Sequence, residues 1–184
     1  GNQLDADDAL GALPYDTYDI EELPCTANEG LQLVTGTAIV TKDGYTVDLG
    51  TMDDPEAFIA TRATDKADGD KYLAQDDEAT VVDRVSYSNL IPEREYTLDA
   101  QLVDKASGKT LSEASVTFTP EKAAGYVNVE LSASTLELAE HDLVVYETLS
   151  CDGRVLAEHK DLDDADQTVT VVPPEIGTSA VDGY

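Results

Sequence analysis

Several residue types are scarce in this chain of 184 residues, and each scarcity excludes a class of protein. There are 11 Lys and Arg residues against 39 Asp and Glu residues, which gives a formal net charge of −28. A chain with that charge is repelled by phosphate groups, so nucleic acid and anionic membranes are excluded as partners. The length allows one large domain or two small ones, each with its own core.

Cysteine, histidine and long apolar runs are also scarce. The sequence has two Cys residues, two His residues and no Cys-x-x-Cys pair, so we expect no metal site, no cofactor and no disulfide-rich scaffold. No uninterrupted apolar run exceeds four residues, whereas a membrane helix needs roughly 20, so no membrane span is expected. Cys25 and Cys151 could pair in an extracellular protein, but the sequence does not give their separation.

The negative charge is unevenly distributed, which predicts more than one unit. Residues 1–58 carry 13 acidic groups and a single cation, Lys42, whereas residues 59–172 carry 24 acidic and 10 basic groups. The first dozen residues are small, acidic and aperiodic, which indicates a flexible terminus over residues 1–12. We therefore expect a small separate unit in the N-terminal part of the chain.

Apolar and polar residues alternate through most of the remaining sequence. The alternation is clear in ATVVDRVSY, EYTLDAQLVD and YVNVELSA, and period two is typical of strands that bury one face. Turn signals such as Lys42-Asp43-Gly44 and Cys151-Asp152-Gly153 separate the segments. The pattern predicts an all-β fold, an antiparallel β-sandwich with a smaller N-terminal β unit.

A short motif recurs at a domain-length interval. Residues 55–65 read PEAFIATRATD and residues 174–182 read PEIGTSAVD, so a Pro-Glu linker is followed twice by a similar segment. The two Thr residues of the motif are roughly 117 positions apart, as in an array of tandem domains. We therefore expect residues 173–184 to be a linker and the start of a next repeat.

A family resemblance extends over residues 55–172. The segments IATRATDKADGDKYL, VVDRVSYSNLIPEREYTLDAQLVDKASGKTL, VTFTPEKAAGYVNVEL, LVVYETL and AEHKDLDDADQTVTVV occur in that order. Together they resemble the Thr-Gln ester-bond domain, or VaFE repeat, of Gram-positive surface adhesins. The resemblance implies an Ig-like β-sandwich of a fibrous stalk, in which a Thr on the first strand and a Gln on the last form an ester and release ammonia. Ala60 and Tyr146 depart from the Gly and Phe that are usual in the family.

The resemblance assigns five residues to the cross-link. Thr61 matches the Thr of the family's T-x-A motif, and Gln167 matches the Gln of its H-x7-Q-T motif. The His of that motif is His159. Glu147 matches the Glu of the VaFE-type strand, and Asp83 matches the assisting Asp that precedes a V-x-Y strand.

The expected chemistry requires a base, an acid and a donor for the oxyanion. A Thr hydroxyl is a weak nucleophile and a primary amide is a poor electrophile, so proton transfer must assist both. Histidine titrates near neutrality, so we expect His159 to take the proton of Thr61 and return it to the departing nitrogen. If Glu147 and Asp83 are buried together, at least one carboxyl stays protonated and can donate to the oxyanion that forms on Gln167.

Residues 13–54 resemble a different family. The segment LPYDTYDIEEL is similar to the Y-x-x-x-E strand of collagen-adhesin B-type, prealbumin-like domains, where that Glu promotes a Lys–Asn isopeptide bond. Glu22 occupies the matching position. The single Lys, Lys42, falls in a predicted hairpin turn, and the Asn residues are Asn2 and Asn28, so the early-strand Lys of the family is missing. We expect part of such a domain here, without an isopeptide bond.

One acidic segment has the alternating carboxylates of a possible calcium site. Residues 161–166 read DLDDAD, and alternating carboxylates suit a calcium ion. The segment lacks the central Gly and the closing Glu of a calcium loop. A solvated acidic turn is therefore expected.

The sequence predicts a structural function, with two alternatives. It indicates a self-cross-linked stalk module of a bacterial surface adhesin or pilus-like protein, extracellular, anchored to the cell wall, monomeric and in contact with neighbouring repeats, with an unknown surface ligand. Each domain reacts once on itself, so the chain is not a turnover enzyme. One alternative is an extracellular β-sandwich that binds a glycan or host matrix protein without a cross-link. The other is a hydrolase that uses His159, although no G-x-S-x-G motif is present.

Overall fold

The fold is known for most of the chain from a computed structural model. It describes residues 13–26, 28, 31–42, 47–50 and 55–174. The predicted flexible terminus and nearly all of the predicted linker and next repeat lie outside the described residues.

Regular structure in the described residues consists of β-strands. The strands in chain order are β1 (Asp16–Glu21), β2 (Thr35–Val40), β3 (Phe58–Asp65), β4 (Tyr72–Ala74), β5 (Ala79–Ser88), β6 (Tyr96–Asp104), β7 (Lys109–Phe118), β8 (Gly125–Ala133), β9 (Asp142–Cys151), β10 (Arg154–His159) and β11 (Thr168–Val172). The chain divides into two compact units, Gly1–Glu56 and Ala57–Tyr184. The first contains β1 and β2, and the second contains the other nine strands. The predicted all-β fold with a smaller N-terminal β unit is confirmed.

The described part of the first unit contains an antiparallel hairpin. β1 and β2 pair along their whole length. Directly after β1, a Glu22 oxygen accepts a hydrogen bond from the main-chain N–H of Val34 at 3.0 Å. The other oxygen accepts one from Nδ2 of Asn28 at 2.6 Å. The Glu22 side chain therefore ties the loop that joins the two strands.

The second unit is a sandwich of two sheets. One sheet has the order β3-β5-β8, and the other has the order β4-β11-β9-β6-β7 with β10 also paired to β9. Both sheets contribute aliphatic side chains to one core, among them Val81, Leu98, Leu131 and Val145. One pair, β4 with β11, is parallel, which differs from the fully antiparallel prediction. The reason is that the chain changes sheets between β3 and β4, so that β4 lies beside the last strand.

Alternation along the central strands also directs two carboxyl groups into the core. On β5, Asp83 lies between two inward-facing Val residues, and on β9, Glu147 lies between Val145 and Leu149. All of these side chains are at most 1% exposed. Because side chains of one strand face point the same way at every second residue, these acids share the apolar face of their strands. The core of the sandwich therefore contains a carboxyl group from each sheet.

Two further sequence expectations concern cysteine and membrane spans. Both Cys25, which is exposed, and Cys151, which is buried, are free thiols. Within the described ranges, no helix has the length and apolar character that crossing a membrane requires.

Candidate functional site

Four of the five residues assigned to the cross-link meet between the two sheets. Thr61 lies on β3 and Asp83 on β5 of the three-stranded sheet, whereas Glu147 lies on β9 and Gln167 directly precedes β11 of the other sheet. Thr61 is 7% exposed, and the other three side chains are fully buried. The first and last strands of the unit therefore bring a Thr and a Gln side chain to one position in the core.

Strand register brings a carboxyl group to Thr61. Asp83 lies opposite Ala63 in the β3–β5 ladder, and Thr61 is two residues before Ala63 on the same face. The Thr61 hydroxyl donates a hydrogen bond to Oδ1 of Asp83. The other oxygen, Oδ2, is buried without a hydrogen-bond partner. A carboxylate that accepts this hydrogen is positioned to act as the base for the hydroxyl.

Glu147 lies between the hydroxyl and the amide. Its Oε1 is 3.4 Å from Oγ1 of Thr61, and its Oε2 is 2.9 Å from Nε2 of Gln167. Burial, followed by the neighbouring Asp83 carboxyl, raises the pKa of Glu147 to about 10. Glu147 is therefore protonated at neutral pH and can supply a proton to the amide nitrogen.

The carboxamide of Gln167 is held at both ends. Its Nε2 donates to the carbonyl of Val145 at 2.7 Å and to the carbonyl of His159 at 2.9 Å, in addition to Glu147. Its Oε1 accepts a hydrogen bond from the main-chain N–H of Asp161 at 3.1 Å. Carbonyl groups only accept and an N–H only donates, so these partners fix which end of the amide is oxygen.

His159 contributes its carbonyl to the amide, and its ring contacts a different loop. β10 pairs with β9 so that His159 lies opposite Glu147. Ring atom Nε2 is 3.0 Å from Oδ2 of Asp164, and Nδ1 is buried without a partner. Within the described part of the chain, Thr61 bonds to Asp83 and not to the His159 ring. The role of His159 as the base stays a prediction, with Asp83 as the nearer candidate.

A second contact between the first and last strands lies beside the reacting pair. The main-chain carbonyl of Asp166 accepts hydrogen bonds from the N–H of Ala63 at 2.9 Å and from Nζ of Lys71 at 2.7 Å. Burial lowers the pKa of Lys71 from its ordinary value. These bonds hold the residue before Gln167 against the residue two positions after Thr61.

Two contacts of this site, through the N–H of Asp161 and Nζ of Lys71, were not predicted from the sequence. A main-chain donor has no residue-type signal, and Asp161 belongs to the segment expected to be a solvated acidic turn. Its side chain is exposed, as expected. In the residues that the structure describes, no group of three or more His, Cys, Asp or Glu side chains is arranged to hold a metal ion.

The fold and the cluster together define a class of protein. It is a β-sandwich whose first and last strands present a Thr hydroxyl and a Gln amide to a shared pair of buried carboxyl groups. Residues 57–171 match the family described as the T-Q ester bond containing domain. The chain belongs to this family, which confirms the resemblance found in the sequence. The prealbumin-like resemblance of residues 13–54 is tested by no comparison and stays a prediction.

Solved structures give the same fold. Two crystal forms of a bacterial adhesin from Mobiluncus mulieris "containing intramolecular disulfide, isopeptide, and ester bond cross-links" match with TM-scores of 0.58 and 0.57. Their sequence identities are 19% and 20%, a level at which the likeness shows the fold alone. Each match covers 65% of this chain and 58% of the adhesin chain. A search of curated proteins gives no match.

Proposed function

We propose that this chain is a structural stalk module of a bacterial cell-surface adhesin or pilus-like protein, stabilised by a side-chain ester between Thr61 and Gln167. The observation that carries this proposal is the position of Glu147, which contacts both the hydroxyl and the amide nitrogen. Family membership supports the ester, and the adhesin from Mobiluncus mulieris supports the surface context. The module is monomeric, belongs to a cell-wall-anchored extracellular protein, and has neighbouring repeats as partners.

In the proposed reaction, Oγ1 of Thr61 bonds to Cδ of Gln167 and the bond from Cδ to Nε2 breaks. Asp83 takes the hydroxyl proton, because it already accepts the hydrogen bond of that hydroxyl. Protonated Glu147 gives a proton to Nε2, and the proton on Asp83 then restores Glu147. The nitrogen leaves as ammonia with its own two hydrogens and the proton that Glu147 gave. Both carboxyl groups end in the state in which they began.

His159 is the second candidate for the base. Its carbonyl accepts a hydrogen bond from the amide nitrogen, and its ring atom Nδ1 is buried with no partner among the described residues. The two candidates are separated by comparing the rates of ester formation in Asp83→Asn and His159→Ala. A larger loss in Asp83→Asn assigns the base to Asp83, and a larger loss in His159→Ala assigns it to His159.

The reaction needs no turnover, since folding itself supplies the reacting geometry. Holding two groups in near-attack geometry can lower a barrier by roughly 7–11 kcal/mol. Both reacting side chains are buried in a core that excludes water, which protects the product ester from hydrolysis. The cross-link is therefore a permanent structural element of each domain.

The ester would give the module resistance to force. Thr61 lies on β3 and Gln167 precedes β11, the first and last strands of the sandwich, roughly 106 residues apart. A pull on the ends of the domain loads these two strands first. Without the ester, the intervening chain could extend by roughly 350 Å, at about 3.3 Å per residue. With the ester, the load passes from one strand to the other through the cross-link.

Intact mass tests the proposal directly. Replacement of an amide nitrogen by a Thr oxygen releases ammonia, so the purified chain should be lighter than its sequence mass by roughly 17 Da. Thr61→Ala should have its full sequence mass. Thr64→Ala, on the same strand but hydrogen-bonded to the carbonyl of Val82, is the matched control and should keep the loss. A full sequence mass for the unmodified chain would refute the ester.

A further inference from the structure

The carboxamide oxygen and nitrogen of Gln167 have hydrogen-bond partners beyond the side chains that were assigned to the cross-link. We call the groups around the oxygen the oxygen side and those around the nitrogen the nitrogen side. The oxygen side is formed by the main-chain N–H of Asp161. The nitrogen side is formed by Glu147 and by the carbonyl groups of Val145 and His159. Two of the three described acceptors and the one described donor are main-chain groups, so they depend on backbone position and not on residue type.

The acceptors on the nitrogen side match the protonated leaving nitrogen of the reaction better than they match the nitrogen of the unreacted amide. An amide nitrogen carries two hydrogens, yet three acceptor oxygens lie within 2.9 Å of Nε2. A leaving nitrogen that has gained a proton carries three hydrogens, one for each acceptor. Groups that bind the late species better than the reactant lower the barrier to reaction.

The oxygen side has one described hydrogen-bond donor that can stabilise the negative charge that forms on Oε1 of Gln167. When Oγ1 of Thr61 bonds to Cδ, the electron pair of the C=O bond moves onto Oε1 of Gln167. The Asp161 N–H lies 3.1 Å from this oxygen, whereas the Glu147 carboxyl contacts the nitrogen. Donation of Glu147 to the oxyanion, as expected from the sequence, would need a different contact from the one described.

We propose that the main-chain N–H of Asp161 is a catalytic group that stabilises the oxyanion of Gln167 during ester formation, opposite an acceptor site for the protonated leaving nitrogen. This inference rests on the proposed function, because it concerns the same ester. When Oγ1 of Thr61 bonds to Cδ of Gln167, the electron pair of the C=O bond moves onto Oε1. It then returns to form the ester C=O as the Cδ–Nε2 bond breaks and ammonia leaves.

The acidic turn holds this N–H in position. Oδ1 of Asp161 accepts the N–H of Asp163 at 2.9 Å. The hydroxyl of Thr168 donates to the carbonyl of Asp164 at 2.7 Å, and the His159 ring contacts the Asp164 carboxylate. The turn is therefore held through Asp161, whose carboxyl oxygen accepts a main-chain N–H, and through Asp164, whose carbonyl and carboxylate contact Thr168 and His159. This gives the DLDDAD segment a role without a metal ion.

Removal of the N–H alone tests the proposal. We would synthesise the full chain in a cell-free system, stop samples at intervals with acid and denaturant, and follow the loss of ammonia by intact mass. Asp161→Pro removes the N–H, whereas the control Asp161→Asn keeps the N–H and the side-chain oxygen. We expect Asp161→Pro to react slower than Asp161→Asn by roughly 10²–10³-fold, the usual loss for one oxyanion donor.

A second variant covers the case in which Pro disturbs the turn. The α-hydroxy acid analogue of Asp161, introduced during cell-free translation, replaces the N–H by an oxygen and keeps the side chain. It should be slowed in the same way. A normal rate in this variant, or equal slowing in Asp161→Asn, would overturn the proposal while leaving the ester intact. Failure of the proposed function is a different result, because the unmodified chain would then never lose ammonia.

Discussion

Each of the two units contains a side-chain amide hydrogen-bonded to a Glu, and the described contacts place a Thr hydroxyl beside the pair in the second unit. In the first unit, the side-chain amide of Asn28 donates to Glu22 and to the carbonyl of Leu23 and accepts from the N–H of Cys25. In the second, Gln167 donates to a Glu whose other oxygen faces the Thr61 hydroxyl.

The two Glu residues also differ in burial. Glu147 is fully buried beside a second carboxyl group, which raises its pKa and keeps its proton at neutral pH. Glu22 is half-buried and accepts a main-chain N–H, which is a contact suited to a carboxylate. The environment of Glu147 favours proton donation to a leaving nitrogen, whereas that of Glu22 holds a hydrogen-bond acceptor in a loop.

Removal of the nucleophile should give the largest effect. By the loop-entropy estimate for cross-links, closing a loop of about 100 residues stabilises a fold by roughly 4–5 kcal/mol. Thr61→Ala should therefore unfold at a much lower denaturant concentration, whereas Thr61→Ser keeps a hydroxyl and should stay close to the original chain. Asn28→Ala should leave the unfolding of the second unit unchanged. Equal stability of Thr61→Ala and Thr61→Ser would contradict the cross-link.

Replacement of the bridging acid should slow ester formation. Glu147→Gln keeps the size of the side chain but cannot pass a proton to the leaving nitrogen, and loss of general acid catalysis costs about 10²–10⁴-fold in rate. The time course of ammonia loss in cell-free synthesis measures this effect. Glu22→Gln is the matched control and should react at the normal rate. A normal rate in Glu147→Gln would show that the proton comes from another group.

The pH dependence of stability should report the raised pKa of Glu147. The pKa of Glu147 is about 10 in the folded state, above its ordinary value of 4.5. The folded state therefore binds the proton more tightly, so this stabilisation is complete below about pH 4.5 and is lost as the pH rises towards 10. Thermal unfolding of Thr61→Ala, which has no ester, should show this loss. The loss should be smaller in Thr61→Ala combined with Glu147→Gln, and identical pH profiles would refute the raised pKa.

The sequence predicted the fold because most strands have one buried face. β5, β6, β8 and β9 alternate as expected, whereas β4, three residues long, and the first half of β7, which is polar, gave too weak a pattern. The reacting residues were found through family motifs and not through alternation. The buried face of β5 has Asp83 between two Val residues. Because acids are almost never fully buried unless paired, an acid in this position itself indicates a functional or paired group.

What the sequence did not predict was how the last strand meets the first. The N–H of Asp161 and the carbonyl of Asp166 act through the main chain, so their contacts depend on the path of the turn. Lys71 was part of a matching segment but had no assigned role. Its contact with the carbonyl of Asp166 became evident only from the position of β4 beside β11.

Lys71 should therefore have the smallest of these effects, because it acts on the position of Gln167 and not on the reaction itself. Lys71→Met keeps most of the side-chain length but loses the hydrogen bond to Asp166, whose carbonyl still accepts from Ala63. We expect a few-fold slower loss of ammonia, consistent with the loss of one hydrogen bond. Lys71→Arg should restore the rate by donating to the same carbonyl. Lys66→Met, which breaks an exposed ion pair with Glu130, is the control and should react normally. If Lys71→Arg is as slow as Lys71→Met, the hydrogen bond is not what positions the last strand.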